Sequence, residues 1–490
     1  MKKLIIFFSI AIFSSACSDT FLERYPKGYN YTTVEMDNSV LVQGKLAQAY
    51  ASLRNWGFIW GGLGMNNYTT PDVEKGSTPS DGGEISQFKS LSYTAANAQV
   101  KDYYSSCYSS IYQTNEAIAL IVAQSDTVST KKINLGEALF LRSVMYFRLA
   151  QAFGGVPWVD KVLGQTEKTP GRSTREEIWS KIEKDLISAI PFLPTRAALL
   201  ASGNSGRATQ NAARAVLAKV YLYQKNWASA LAQTTAIIGS GDNNLSTAYD
   251  QIFNETNEYG PESVFEVYCD VKPVDKIDMG SQFAQIQGFR GFPNLGWGFN
   301  APSQVLMDAY EAGDPRKAAS IIANGDILEG KKVIADAASY QYFNKKVYTK
   351  ISERAPNFGR ATGAQGEWVN IRVIRYADVV LMHAEAACEL GNATEALEKL
   401  EMVRARARGA NATILPKITT TDQTELRAKI HQERRIELAM EWERFYDLVR
   451  WDEAKTAIGA NFVVGKHELF PIPQTEIDKS EGLITQNPKY

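Results

Sequence analysis

The sequence predicts a mainly helical protein, a scaffold of amphipathic helix pairs interrupted by long loop-rich insertions. Three observations predict it. Alanine-rich stretches with apolar residues at three- and four-residue spacing recur along most of the chain. Two distant segments share a helix–Asn–helix pattern, LYQKNWASAL at 222–231 and ELGNATEAL at 389–397. Between the helical stretches, residues 56–100, 239–302 and 325–368 are rich in Gly, Pro, Asn, Ser and aromatics, and insertions this long are functional or disordered. Their aromatic content argues against disorder. A chain of 490 residues with 44% hydrophobic side chains also buries a large core without disulfides or metals.

From the N-terminus, MKKLIIFFSIAIFSSAC opens with Lys2 and Lys3. An apolar run at 4–13, broken only by Ser9, leads to Ser14, Ser15 and Ala16. A bilayer-spanning helix needs roughly 20 residues, so this run is too short to span. Basic start, short apolar middle and small-residue end read as a secretory signal peptide over 1–16. Cys17 stands at the cleavage point and resembles the lipobox cysteine of bacterial lipoproteins, with Ser14 where that motif usually has Leu. Two acyl chains there suffice for stable anchoring. Residues 17–39 are then a lipid anchor and N-terminal arm.

Helical periodicity follows at 40–55, 100–124, 135–153, 175–190 and 209–238, an N-terminal helical part over 40–238 with a loop insertion at 56–100. Residues 239–371 form a loop-rich subdomain. Helices resume at 372–390, 395–408 and 425–455, a C-terminal helical part and tail over 372–490. In the last helix Leu438, Trp442, Phe445 and Val449 make one continuous apolar stripe. In the two look-alike segments Asn226 and Asn392 mark the turn, and Ala230-Leu231 and Ala396-Leu397 open the second helix. This resembles the helix–turn–helix unit of tetratricopeptide (TPR) repeats, where a small residue lets paired helices approach closely.

Several chemistries are excluded. Lys+Arg number 53 against 54 Asp+Glu, so no basic surplus points to nucleic acid. His383, His431 and His467 lack zinc or di-iron spacing, and Cys17, Cys107, Cys269 and Cys388 form no Cys-x-x-Cys pair. GDILEGKK at 325–332 imitates a phosphate-binding loop but places Lys332 where Ser or Thr must hold Mg²⁺. GWGFNA at 296–301 imitates a dinucleotide fingerprint but follows Pro293-Asn294 and runs into Pro302. No cofactor and no catalytic set is expected. Glu433, Glu437 and Glu441 stack at four-residue spacing, a like-charge ladder that repels unless countered. A metal site or an acid/base carboxylate pair is one reading. Buried ion pairs with arginines, Arg142, Arg148, Arg372 and Arg375 as candidates, are the favoured one, because glycosidase carboxylates project from different elements into a cleft.

Five stretches, in order, resemble the SusD/RagB family of nutrient-binding outer-membrane lipoproteins. They are Cys17-Ser-Asp-Thr-Phe21-Leu22-Glu23-Arg-Tyr-Pro26; Gly296-Trp-Gly-Phe-Asn-x-Pro302-Ser with Asp314-Pro315-Arg316; and Ile374-Arg375-Tyr376-Ala377-Asp378 through Ala384-Glu385-Ala386. Then come Glu433-Arg434-Arg435-x-Glu437-Leu438 with Arg444-Phe-Tyr-Asp447-Leu448-x-Arg450-Trp451, and Leu469-Phe-Pro471-Ile-Pro473-x-x-Glu476 ending in Thr485-Gln486-Asn487-Pro488-x-Tyr490. The resemblance implies a SusD-like fold: about four TPR-like helix pairs carrying a loop-rich subdomain, with no catalytic motif.

It further implies a cell-surface lipoprotein that captures an oligosaccharide or polysaccharide and delivers it to a SusC-like TonB-dependent outer-membrane transporter. The alternatives are a surface glycan-degrading enzyme and a helical-repeat scaffold of the envelope. Sugars offer C–H faces to aromatic rings and hydroxyls to amides, carboxylates and Arg, so binders interleave these groups. Trp56, Trp60, Asn66, Asn67, Tyr68 and Asp72 make such a set in the first insertion. Arg290, Phe292, Asn294 and Trp297 make one in the second, and Trp368 ends the third. Loop packing is the competing reading for each aromatic taken alone, and Trp297 lies within a family-shared stretch.

Overall fold

The computed structural model describes residues 38–272, 277–337, 339–354 and 366–490. The predicted signal peptide, Cys17 and the arm through residue 37 lie outside the described residues. The main helices are α1 (Asn38–Ser52), α2 (Trp56–Leu63), α3 (Ala98–Ala123), α4 (Lys131–Phe153), α5 (Arg175–Ala189), α6 (Gln210–Tyr223) and α7 (Trp227–Ser240). After a long insertion come α8 (Tyr376–Glu389), α9 (Ala393–Arg408), α10 (Gln423–Glu437) and α11 (Arg444–Arg450). Helix α3 packs on α1 and α4, α4 on α5, α6 on α7, and α8 on α9. Helix α7 also packs directly on α8, so the stack continues across the intervening loops. This is a mainly helical, TPR-like architecture. Among the described residues no helix is long and apolar enough to cross a membrane.

The two look-alike segments fold alike. Asn226 and Asn392 sit at φ −86°, ψ 74° and φ −87°, ψ 73°, and each side chain accepts the backbone N–H three residues on. That bond satisfies one of the orphan donors of the helix that follows. Ala230 and Ala396 are both fully buried where the paired helices meet. Helix α4 forms the centre of the N-terminal half, buried along all of its residues from Gly136 to Phe153. Its polar side chains therefore need internal partners. Arg142 makes a two-pronged bond to Asp185 at 2.8 and 2.9 Å, and Glu137 accepts from Arg207 at 2.8 Å.

Periodicity misplaced three elements. Residues 209–238 break into α6 and α7 at Lys225, whose φ is +56°. The expected 425–455 helix ends at Glu437, and Met440 and Trp442 take φ of +64° and +71° before α11 begins. The apolar stripe runs on through this reversal because both halves face one core. Residues 56–63 were expected as loop but form α2, although three of the eight residues of WGFIWGGL are glycine. A Cβ on Gly61 would lie 2.6 Å from the Gln99 carbonyl oxygen, so glycine lets α2 lie flush on α3.

Among the described residues the strands form two-stranded antiparallel ribbons. Val73–Gly76 pairs with Phe299–Pro302 and brings the first insertion against the second. Ser263–Val267 pairs with Ile371–Arg375, just ahead of α8.

Candidate functional site

The ribbon of Val73–Gly76 and Phe299–Pro302 carries Trp297 to α2. Trp56 and Trp60, one turn apart on α2, stack with centroids 5.1 Å apart and planes at 17°. Trp297 meets Trp56 edge-on at 6.0 Å and 64°, and Phe299 meets Trp60 edge-on at 4.9 Å. Trp60 is 7% exposed and Trp297 half-buried, whereas Trp56 is 41% exposed. The inner rings thus hold an outer indole in solvent, with one face covered by Trp60. Such edge-and-stack packing fixes ring orientation and contributes about 0.5–1.5 kcal/mol per pair beyond burial.

Polar groups flank this cluster. Gly57 rests against α3, where a Cβ would lie 2.7 Å from Ser106 Oγ and 3.3 Å from Asp102 Cβ. Both side chains are half-buried beside Gly57, the residue that follows Trp56. The Trp297 backbone N–H donates to the Gln285 carbonyl at 2.9 Å, which pins the loop. Sequence reading missed Asp102, Ser106 and Phe299. The available signal was the repeated Trp-Gly pair at 56–57 and 60–61, which sets aromatic and backbone-close faces side by side on one helix.

The other expected site residues are placed differently. Asn67 is buried and donates to Asn300 Oδ1 at 3.0 Å, tying the Gly64–Tyr68 π-turn to the ribbon. Asn66 and Tyr68 are also buried, and burial pushes the Tyr68 phenol far above its usual range. Asp72 is buried beneath two arginines, with Arg435 Nε at 2.9 Å and Arg444 Nε at 3.2 Å. It joins the first insertion to the C-terminal helices. Trp368 is buried on Val271 and Val369, and its indole N–H donates to Glu255 at 3.1 Å. Asn67, Tyr68, Asp72 and Trp368 are therefore buried in this conformation.

Arg290 is half-buried and clamps loops. It donates to Ser77 Oγ at 2.7 Å and Asp81 Oδ2 at 2.5 Å, with Asp336 at 3.3 Å. The Ser77 and Thr78 hydroxyls, with Arg290, hold the Asp81 carboxyl well below the usual range. Phe292, at 67%, and Asn294 are exposed on the same stretch as Trp297.

The glutamate ladder is neutralised by cations. Glu433 receives Arg316 at 2.5 Å and Arg404 at 2.8 Å. Glu437 receives Arg375 at 3.0 Å and Arg406 at 2.5 Å, and Glu441 receives Arg375 at 2.7 Å and Lys346 at 2.6 Å. Burial opposes the Glu437 charge, yet Arg406, Arg375 and Arg316 hold its carboxyl well below the usual range. Of the four expected arginines only Arg375 reaches the ladder. Arg142 pairs with Asp185, Arg372 with Glu258 and Glu266, and Arg148 makes no ion pair among the described residues. No group of three or more His, Cys, Asp or Glu among the described residues is placed to hold a metal ion.

Comparison with known proteins agrees with this architecture. The chain matches the SusD family over residues 261–468, and a family described as starch-binding, associating with outer membrane, over residues 21–222. A SusD-like protein of Formosa agariphila is 24% identical across 100% of both chains. A laminarin-binding SusD-like protein superposes with a TM-score of 0.76 at 26% identity, covering 92% of this chain and 99% of that one. Surface glycan-binding protein A of Bacteroides thetaiotaomicron, in complex with laminarihexaose, shares the fold with a TM-score of 0.77 at 21% identity, over 91% of this chain and 99% of that one. With family matches in both halves and a helical stack shared with these structures, the chain belongs to the SusD/RagB family.

Proposed function

We propose that this protein is a cell-surface glycan-binding lipoprotein of the outer membrane, anchored through Cys17, that passes its ligand to a SusC-like TonB-dependent transporter. The exposed Trp56 indole, propped by Trp60 and Trp297, carries the reading. A rigid aromatic face on a helix that also packs against Asp102 and Ser106 suits a saccharide, whose C–H face stacks while its hydroxyls take polar groups. The names of the similar proteins, laminarin-binding and glycan-binding, support the ligand class. In this reading the helical parts are the frame, and the 56–100 insertion with the 239–371 subdomain carries the ligand face.

Binding without turnover is the expected activity, because the ladder carboxylates are each held by a guanidinium or ammonium. Tethered capture raises ligand concentration at the transporter mouth by effective molarity. The test joins a glycan array on the soluble chain with affinity purification from solubilised outer membranes. Saccharide retention, with a large barrel protein recovered in near-equal amount, is expected. Hydrolysis of the retained glycan refutes the binding-only reading, and recovery of the lipoprotein alone refutes the transporter partnership.

A further inference from the structure

A second concave surface lies on the other side of α3 from Trp56. Tyr104, Tyr108 and Tyr112 follow one another at four-residue spacing, so one face of α3 carries all three rings. Asp102 and Ser106, which pack under Gly57, sit two residues ahead of Tyr104 and Tyr108. That offset turns the helix by about 200°, to its opposite face. The tyrosine face lines a groove of about 260 Å³ whose other walls come from the 157–169 loop and the tail, with Pro157, Leu163 and Ile484 among them.

Hydrogen bonds hold this groove open. Tyr108 Oη donates to the Pro157 carbonyl at 2.7 Å, and Asn115 Nδ2 to the Val159 carbonyl at 2.9 Å. From α4, Tyr146 Oη donates to the Val159 carbonyl and Arg142 Nη1 to the Asp160 carbonyl, each at 3.1 Å. The loop is thus fixed against α3 and α4, and the opening is pre-formed. Tyr104 and Tyr108 lie with ring centroids 4.8 Å apart. Tyr112 is 47% exposed, and its hydroxyl donates to Glu116 at 3.0 Å, which fixes the ring. The charges that line the groove are already paired, Lys161 with Glu167 at 2.5 Å and Glu476 with Lys479 at 3.2 Å. Asn115 is used up as well, since its Oδ1 accepts from Arg142 at 3.0 Å. What the groove offers is ring faces, aliphatic walls and the exposed Thr169 hydroxyl. A neutral molecule with C–H faces and hydroxyls matches that set, whereas an ion finds no free counter-charge.

We propose that this groove is a second saccharide site, which takes a neutral sugar unit against Tyr108 and Tyr112 and is separate from the site at Trp56. For its ligand class the inference rests on the proposed glycan function; for its place and shape it rests on the groove alone. Small-ligand sites run to about 300–1,000 Å³, so this volume suits one or two sugar rings better than a segment of protein. Two separate faces on one chain hold a polysaccharide by multivalency, with a retention that neither reaches alone.

The test is calorimetric titration of the soluble chain with laminarihexaose, maltohexaose and cellohexaose, neutral probes of differing linkage. Two-site binding of at least one probe is expected. Tyr112→Ala should weaken one site about 10- to 100-fold, as truncation of a stacked anchor does, while Tyr112→Phe keeps it. Trp56→Ala should weaken the other. Single-site binding that is lost in Trp56→Ala and unchanged in Tyr112→Ala overturns the groove while the proposed function stands. Binding that survives Trp56→Ala and is lost in Tyr112→Ala upholds the groove and removes Trp56 from the reading. No binding of any probe overturns the groove. So does a Tyr112→Ala chain that binds every probe as the parent does but no longer recovers the barrel protein, which gives this face to a protein partner. Should Tyr112→Ala fail to fold, Leu163→Trp, which fills the groove, decides, and undiminished two-site binding in it overturns the proposal.

Discussion

Around α10 each ladder carboxylate is met by a cation; around Trp56 three indoles meet and one is left in solvent. In the first region Arg316, Arg375, Arg404, Arg406 and Lys346 are all taken up by Glu433, Glu437 and Glu441. The cost of dehydrating the charges there is offset by mutual pairing. In the second region the buried rings Trp60 and Phe299 fix the ring that is not buried. The contrast teaches that charge density marks architecture in this molecule, and that the functional candidate is an aromatic ring held out at a cost in exposed apolar area.

Perturbing the two regions should separate their roles. Glu437→Gln removes the carboxylate shared by Arg316, Arg375 and Arg406, leaves an excess of positive charge buried in the core, and should cost about 3–5 kcal/mol in chemical denaturation. A variant as stable as the parent would break the comparison. Trp60→Ala should lose stability on the same scale, about 3–5 kcal/mol, and binding with it, because that ring is core and support at once.

Acid should attack the ion-paired region selectively. Burial opposes the Glu385 charge, but Arg450 holds its carboxyl down at about 2 against an ordinary 4.5. The lowered folded value means this contribution is complete above pH 4.5 and is lost as pH falls toward 2, about 3 kcal/mol in all. Glu258 runs the other way. Burial raises it to about 7 from 4.5, so its share of stability declines as pH rises through that window. Urea midpoints between pH 2 and 8 should show both slopes, with the acid slope reduced in Glu385→Gln.

Smaller effects sharpen the aromatic side. Gly61→Ala should cost about 1–3 kcal/mol, since its Cβ meets the Gln99 carbonyl oxygen at 2.6 Å. Melting that matches the parent would show that α2 is not seated by close backbone approach.

The helical frame was legible because periodicity and caps are local. Asn226 and Asn392 announced their turns, and the structure gives them the same cap geometry. Helix α2 was hidden by its glycines, which suggest a loop until the α3 surface they seat against is known. The fates of Asp72 and Trp368 were hidden for a different reason. Burial of Asp72 is decided by Arg435, 363 positions away, and that of Trp368 by Glu255 and Val271 across the subdomain. The ladder's nature was readable as ion pairing, but three of its arginines, Arg316, Arg404 and Arg406, come from segments with no local tie to it. Trp56, Trp60 and Trp297 were picked from the sequence, and the fold brings them together.

The most direct measurement is calorimetric titration of an array-identified glycan into the soluble chain, Trp56→Ala and Trp368→Phe. Trp56→Ala should lose about 1–3 kcal/mol of binding with unfolding stability within about 0.5 kcal/mol of the parent's, while Trp368→Phe binds as the parent does. Undiminished binding by Trp56→Ala, together with loss in Trp368→Phe, would contradict the assignment of the ligand face.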